Sequence, residues 1–394
     1  MGELALHGGA AVRSKPWPRW PQWGEEEAAQ LQRVLVSGEW GGFNDLVDEF
    51  EAAWAKRHQA KHCISAVNGT LTLEAALRVV GVGPGDEVIV PPYTFIATAN
   101  AVRLVGATPV FVDIEPDTYN LDVTRMEAAI TPRTKAVIPV HFAGLPVDMD
   151  RLLPLAAAHG LAVIEDAAHA HGTTWRGTPA GTLGQIGSFS LQQSKNLTAG
   201  EGGLLITNDD ELAAKLWSFA NQGRNPDGLW YEHHMLGANL RMTGWQAGIL
   251  LAQLTRFDEQ LARRQASARR LNSILEEIDG PLPMRWDSRC DNHAFHLYMM
   301  RYDPARFGGL PRERFIEAMR AEGIPCSGGY YRPLYHQTPL APPHSRIEDC
   351  PVAEQACREA VWLTQNLLLA DPEEMDDIAE AMVKIRDQVG ALMG

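Results

Sequence analysis

His62-Cys-Ile-Ser-Ala-Val-Asn-Gly-Thr-Leu-Thr-Leu-Glu-Ala-Ala-Leu-Arg-Val-Val80, followed by Gly81-Val-Gly-Pro-Gly-Asp86 and Glu87-Val-Ile-Val90, decides the fold. The apolar run His62 to Val67 has the length of a buried strand, and Leu73, Leu77 and Val80 recur at helical spacing. The glycine-rich run after them reads as a helix stop and turn, since it follows a helix and lacks the G-x-G-x-x-G spacing of a dinucleotide loop. A second apolar run then begins at Glu87. Strand, helix and strand in this order predict a crossover between parallel neighbours.

The alternation continues through Pro109 to Asp113, Ala136 to His141, Leu161 to Asp166, Ile186 to Leu191 and Gly203 to Asn208, with a helical pattern from Met149 to His159. These runs predict an α/β fold with a mainly parallel, seven-stranded sheet covered on both faces, so that reactive groups collect at strand carboxyl ends. Thr243 to Ile278 carries no proline and keeps Leu250, Leu254, Phe257, Leu261, Leu271 and Leu275 at helical spacing, which predicts one long connector helix. Beyond it, Asn292 to Tyr302 reads as a strand, Arg312 to Glu322 as a helix, and Pro372 to Leu392 as a terminal helix capped by Asp371. Leu282 to Asp291 and Thr338 to His344 read as loops. The expected division is residues 1–275, an amino-terminal arm and large domain with the connector, and 276–394, a smaller α+β domain.

A chain of 394 residues corresponds to about 2.6 units of typical size, in keeping with that division. Hydrophobic residues at 45% and charged residues at 21% describe a soluble globular protein. The net charge, 35 − 49 = −14, offers no attraction to phosphate backbones or anionic lipid, so nucleic acid and membrane are excluded as expected partners. No apolar run approaches the ~18 residues of a spanning helix, and the amino terminus lacks the apolar stretch of a signal peptide. A cytoplasmic location is expected. The five cysteines show no C-x-x-C pair and no zinc-type spacing, which predicts reduced thiols.

Three elements carry chemistry. The chain has seven lysines, and Lys195 stands apart because it follows an apolar strand in Ser188-Phe-Ser-Leu-Gln-Gln-Ser-Lys195, among small residues that admit a bulky ligand. A desolvated lysine loses its proton more readily and becomes a nucleophile toward carbonyls, as Schiff-base chemistry requires; the competing reading is a surface-loop lysine. In Leu161-Ala-Val-Ile-Glu-Asp-Ala-Ala-His-Ala-His-Gly172, Asp166 ends a buried strand, where it can hold a pyridinium nitrogen protonated. A nucleotide-hydrolase strand lacks its G-x-x-x-x-G-K-[ST] loop, and a metal site at His169 and His171 lacks further ligands, so no metal is expected. Asn68-Gly69-Thr70 opens a helix after a strand, and backbone N–H groups at a helix start make a phosphate site. A hairpin at Asn-Gly is the alternative, but the following run has helical period. Phosphate cradle, ring-nitrogen carboxylate and Schiff-base lysine together point to pyridoxal 5'-phosphate.

These motifs, with Pro91-Pro-Tyr-Thr-Phe-Ile-Ala-Thr98, Glu165-Asp-Ala-Ala-His169, Gly200-Glu-Gly-Gly203 and Asn239-Leu-Arg-Met242, resemble the DegT/DnrJ/StrS aminotransferases of the fold type I group. The resemblance runs from about residue 5 to the carboxyl end. It implies a homodimer with shared active sites at the subunit interface. It makes Lys195 the Schiff-base lysine, Asp166 the partner of the pyridine nitrogen and His169 the neighbour of the cofactor's phenolic oxygen. Phe95 matches the aromatic ring over the cofactor face; core packing is its alternative, as a structural hydrogen bond is for His169. Gly69, Thr70 and Ser190 match phosphate contacts, and Asn239 one contributed by the neighbouring subunit.

Leu191-Gln-Gln-Ser194 departs from the nucleotide-sugar members, many of which place an aromatic residue or histidine just after the serine. That approach to the lysine, the Ala168-His-Ala-His171 run and the arm with Trp17, Trp20 and Trp23 resemble two subgroups, the inosose aminotransferases and the 3-amino-5-hydroxybenzoate synthases. The tryptophans read equally as anchors of the arm. Arg332 and the loop from Gly223 to His234 are candidates for binding a carboxylate. The expected activity is transfer of an amino group from L-glutamine or L-glutamate, a small-molecule donor, to a keto-cyclitol or keto-sugar. The alternatives are an aromatising dehydratase of the aminohydroxybenzoate type and a cofactor-binding regulator without turnover.

Overall fold

The computed structural model describes residues 2–229 and 231–393. Among them, one sheet has eight strands in the order His62–Ala66, Gly203–Thr207, Ile186–Ser190, Ala162–Asp166, Thr134–Val137, Glu87–Val90, Thr108–Phe111 and Arg346–Ile347. Gly203–Thr207 runs antiparallel to both its neighbours, and the remaining pairs are parallel. The first seven correspond to the runs read from the sequence, except that the run read as Ala136 to His141 forms its strand earlier, at Thr134–Val137. The eighth comes from the carboxyl-terminal part, and its two residues are too few to show a period; Arg346 holds it in place by donating to Glu87 and to the Ala129 carbonyl.

The helix Gly69–Val79 starts where the Asn68 side chain accepts the Leu71 N–H at 2.9 Å, and it lays Leu73, Ala76 and Leu77 into the core under the sheet. The connector is two helices, Gly244–Leu254 and Phe257–Glu277, where the sequence predicted one. No glycine or proline marks the break. It occurs because Arg256 turns out of the helix to reach the Gln22 carbonyl and Glu27, while Phe257 is buried against Trp54. Such tertiary partners leave no periodic trace in the sequence.

A three-stranded antiparallel sheet, Leu282–Pro283, Leu297–Arg301 and Ala360–Thr364, forms a second centre. It packs with the helices Arg312–Ala321 and Asp376–Asp387 around Phe315, Leu363 and Ile378. The predicted terminal helix divides into a turn at Pro372–Met375, the helix Asp376–Asp387 and a short helix Val389–Met393, and Asp371 caps it with Glu374 as a reciprocal pair. The arm lies partly on this second centre. Leu4 is buried there, and Glu322 accepts the Ala5 and Val12 amides as well as the Lys384 ammonium at 2.9 Å. A buried ion pair is better tolerated when further hydrogen bonds are made, and Lys384 also donates to the Ala10 carbonyl. Among the described residues no helix is long and apolar enough to cross a membrane.

Candidate active site

The strand Ala162–Asp166 ends in two acids whose side chains leave opposite faces, as the two-residue period of a strand requires. Glu165 is fully buried and accepts from His141 Nε2 at 2.7 Å and from the Gly181 and Gly184 amides, which makes it a structural anchor. Asp166, paired in register with Ser188, is buried on the other side. Thr98 Oγ1 donates to its Oδ2 at 2.8 Å and the Ala168 N–H to its Oδ1 at 3.2 Å. Burial pushes the Asp166 carboxyl above its ordinary value, against the pull of these hydrogen bonds and of Lys195.

Lys195 sits in the tight turn that leaves the strand Ile186–Ser190. The turn is fixed by Leu191 N–H to Gly202 O, Gln193 N–H to Gly200 O and Lys195 N–H to Gln192 O, each 2.8 Å. The residue as a whole is half-buried while its amine is enclosed, and loss of solvation draws the amine's pKa from 10.5 down to about 8, with Asp166 pulling the other way. A lysine in a surface loop would keep its solvation and its ordinary basicity, unlike this one.

Gly69 faces the same strand end. A Cβ there would lie 2.8 Å from Ser190 Cβ and 3.4 Å from its Oγ, so glycine keeps a small cradle open between helix start and serine. The Asn68 cap takes the Leu71 amide and its carbonyl the Thr72 amide, leaving the Gly69 and Thr70 amides as the first-turn donors that the cap does not use. With Ser190 Oγ they form a donor set suited to a phosphate dianion.

Phe95 is 58% exposed, so it is not a core residue in the single chain. His169 is buried and accepts the Ala143 N–H on Nδ1 at 3.3 Å, which assigns its own proton to Nε2. Burial holds it well below the ordinary imidazole value, hence neutral. His296, likewise neutral, lies against it with ring centroids 4.2 Å apart, and Asn196 Oδ1 accepts from His296 Nδ1 at 3.2 Å. Asn196, beside the lysine, and His296 were missed by sequence reasoning; Thr98 stood within a quoted motif without a role. Tyr330 is also close, its phenol pushed up by burial and by Asp166.

Asn239 is exposed, and its Oδ1 accepts the Arg241 amide at 3.3 Å. His171 is placed differently from His169, edge-on to Trp54 and Phe189 in the core. Among the described residues no three His, Cys, Asp or Glu side chains are grouped as metal ligands. Arg332 is exposed with its guanidinium 4.7 Å over the Tyr331 ring. The loop 223–234 is largely exposed, and its residue 230 lies outside the described residues.

The Lys195 environment has a direct consequence. In cofactor-free protein, acylation of Lys195 followed by mass spectrometry should rise with pH through a midpoint of about 8, because the neutral amine is the reacting form. A midpoint at the ordinary 10.5 would contradict the desolvated placement.

The sequence pattern of the DegT/DnrJ/EryC1/StrS aminotransferase family matches residues 21–383. The chain is 37% identical over 420 residues to the L-glutamine:2-deoxy-scyllo-inosose aminotransferase of Streptoalloteichus tenebrarius, covering 99% of each. It is 38% identical over 385 residues to the 3-amino-5-hydroxybenzoate synthase of Amycolatopsis mediterranei, covering 94% of this chain and 97% of the relative. A crystal structure of 3-amino-5-hydroxybenzoic acid synthase superposes with a TM-score of 0.87 at 38% identity, covering 96% of this chain and 100% of that one. The open cradle at Gly69, the buried Asp166 and the desolvated Lys195 fit the cofactor this fold employs. The chain belongs to the DegT/DnrJ/EryC1/StrS aminotransferase family and is a pyridoxal-phosphate-dependent aminotransferase.

Proposed function

We propose that the chain transfers the amino group of L-glutamine or L-glutamate to the ketone of a cyclitol or sugar, with inosose-type cyclitols as the favoured class. The observation that carries the chemistry is Lys195, drawn to about 8 beside the buried Asp166. The naming of several relatives as L-glutamine:inosose aminotransferases supports the substrate class.

Pyridoxal phosphate, when bound, supplies a ring that withdraws electrons from the donor's α-carbon. The chain's residues divide the remaining work. The Gly69 and Thr70 amides and the Ser190 hydroxyl bind the phosphate. Asp166 holds a proton at the ring nitrogen, and the Nε2–H of His169 donates toward the phenolic oxygen. Phe95 covers one ring face and excludes water. Lys195 would be the residue that holds the cofactor covalently, and its amine, once free, would take the proton from the donor's α-carbon and return it as general base and acid. An amine near neutrality suits both directions of that transfer.

The aromatising dehydratase is the second reading, favoured by the 38% identity to a synthase of that kind. Holoenzyme mixed with L-glutamine and 2-deoxy-scyllo-inosose, followed by mass spectrometry, distinguishes the two. The proposal expects an aminocyclitol with its hydroxyls retained, from either L-glutamine or L-glutamate. Water loss to an aromatic product, or no amine from any keto-cyclitol or keto-sugar, contradicts it. Binding of the cofactor with no spectral change on adding either donor would instead mark a regulator without turnover.

We further propose a homodimer in which Asn239 reaches the neighbour's phosphate site, consistent with its exposure in the single chain. Co-expressed Lys195→Ala and inactive Asn239→Ala chains then form heterodimers in which one site carries both defects and the other neither. Their activity should recover to about half that of the wild-type dimer, as two-fold symmetry dictates. Activity no higher than that of the separate variants places Asn239 outside the neighbour's site.

A further inference from the structure

Arg264, on the helix Phe257–Glu277, is fully buried, and among the described residues no carboxylate pairs with it. Its Nε and Nη2 both donate to the neutral Gln365 Oε1, at 2.9 and 2.6 Å, while Nη1 has no hydrogen-bond partner. The Trp20 ring lies 5.2 Å from the guanidinium carbon, and burial draws the group down to about 9. A buried cation with no carboxylate partner, held by a neutral amide and one aromatic ring, is costly, and an apolar side chain of similar volume is often as stable or more so. Stability alone therefore does not account for an arginine here.

Its surroundings lead to the active site. The Trp20 indole N–H donates to the Gln193 carbonyl at 2.9 Å, inside the turn that carries Lys195. The same stretch of arm is held on the other side by Asn366 Nδ2 to the Pro18 carbonyl and by Trp17 Nε1 to the Gly323 carbonyl. Gln365 and Asn366 directly follow the strand Ala360–Thr364 of the smaller sheet. Trp23, by contrast, is 80% exposed and takes no part.

We propose that Arg264 and Trp20 are positioning residues for Lys195, a guanidinium–indole tie that runs from Gln365 to the Gln193 carbonyl and sets the turn bearing the lysine. This rests on the assignment of Lys195 as the cofactor-bearing residue. Trp20→Phe keeps a ring over Arg264 and removes only the donor to Gln193; Arg264→Met keeps the volume and removes the charge and its hydrogen bonds.

Hydrogen exchange of residues 191–200 in the holoenzyme, measured beside kcat, KM and thermal unfolding, tests the tie. Each variant should speed exchange in that segment about five- to tenfold, the loss expected for one hydrogen bond. It should lower kcat with little change in the donor KM and leave the unfolding midpoint nearly unchanged, with Arg264→Lys recovering part of the protection. Unchanged exchange at 191–200 in Trp20→Phe overturns the proposal. So does faster exchange across the whole chain with a lower midpoint, which marks a merely structural pair. If Arg264→Met does not fold, Trp20→Phe decides. Retention of the visible cofactor band in Lys195→Ala would sink the lysine assignment while leaving the exchange result readable on its own.

Discussion

A carboxylate and an amine buried side by side constrain the rest of this molecule, because each is costly to take from water and each lessens the cost of the other. Asp166 is tolerated at the end of its strand because Thr98, the Ala168 amide and Lys195 face it. The adjacent Glu165 cannot share that environment, since the strand turns it to the opposite face, where His141 and two glycine amides hold it. Two consecutive acids thus end in different roles through the period of the strand alone.

Burial also sorts the basic groups. His169, His171 and His296 are all pulled far below the ordinary imidazole range and stay neutral, whereas the lysine, starting higher, is brought close to neutrality. Enclosure therefore leaves Lys195 as a basic group poised to exchange a proton under ordinary conditions, and these imidazoles as neutral hydrogen-bonding and packing surfaces. The Ala143 amide and Asn196 set which nitrogen of each stacked ring carries its proton. The lowered basicity of Lys195 comes from enclosure more than from any single neighbour.

Much of this is legible in the sequence, where local pattern suffices. The seven apolar runs, the capped helix start at Asn68 and the strand-end position of Asp166 follow from periods of 2 and 3.6 residues and from end chemistry. Gly69 and Lys195 stand out as candidates because each follows closely on an apolar strand. Phe95, His169, Ser190 and Asn239 are candidates only through family resemblance, since no local pattern sets an exposed aromatic or asparagine apart from its surroundings. Asn196, His296 and Arg264 were not legible, because their meaning lies in contacts across long sequence separations. The same cause hid the break at Thr255 and Arg256 and the short eighth strand Arg346–Ile347, both fixed by side chains reaching distant partners.

The most direct test of the central pairing is the titration of the Lys195 amine in cofactor-free Asp166→Asn, set against the wild-type protein. Asparagine keeps the shape and the Thr98 contact but removes the negative charge that favours the ammonium. The account predicts that the midpoint moves below the wild-type value of about 8, since desolvation then acts unopposed. A midpoint that stays in place or moves upward would contradict it, and would mean that Asp166 and Lys195 do not share one electrostatic environment.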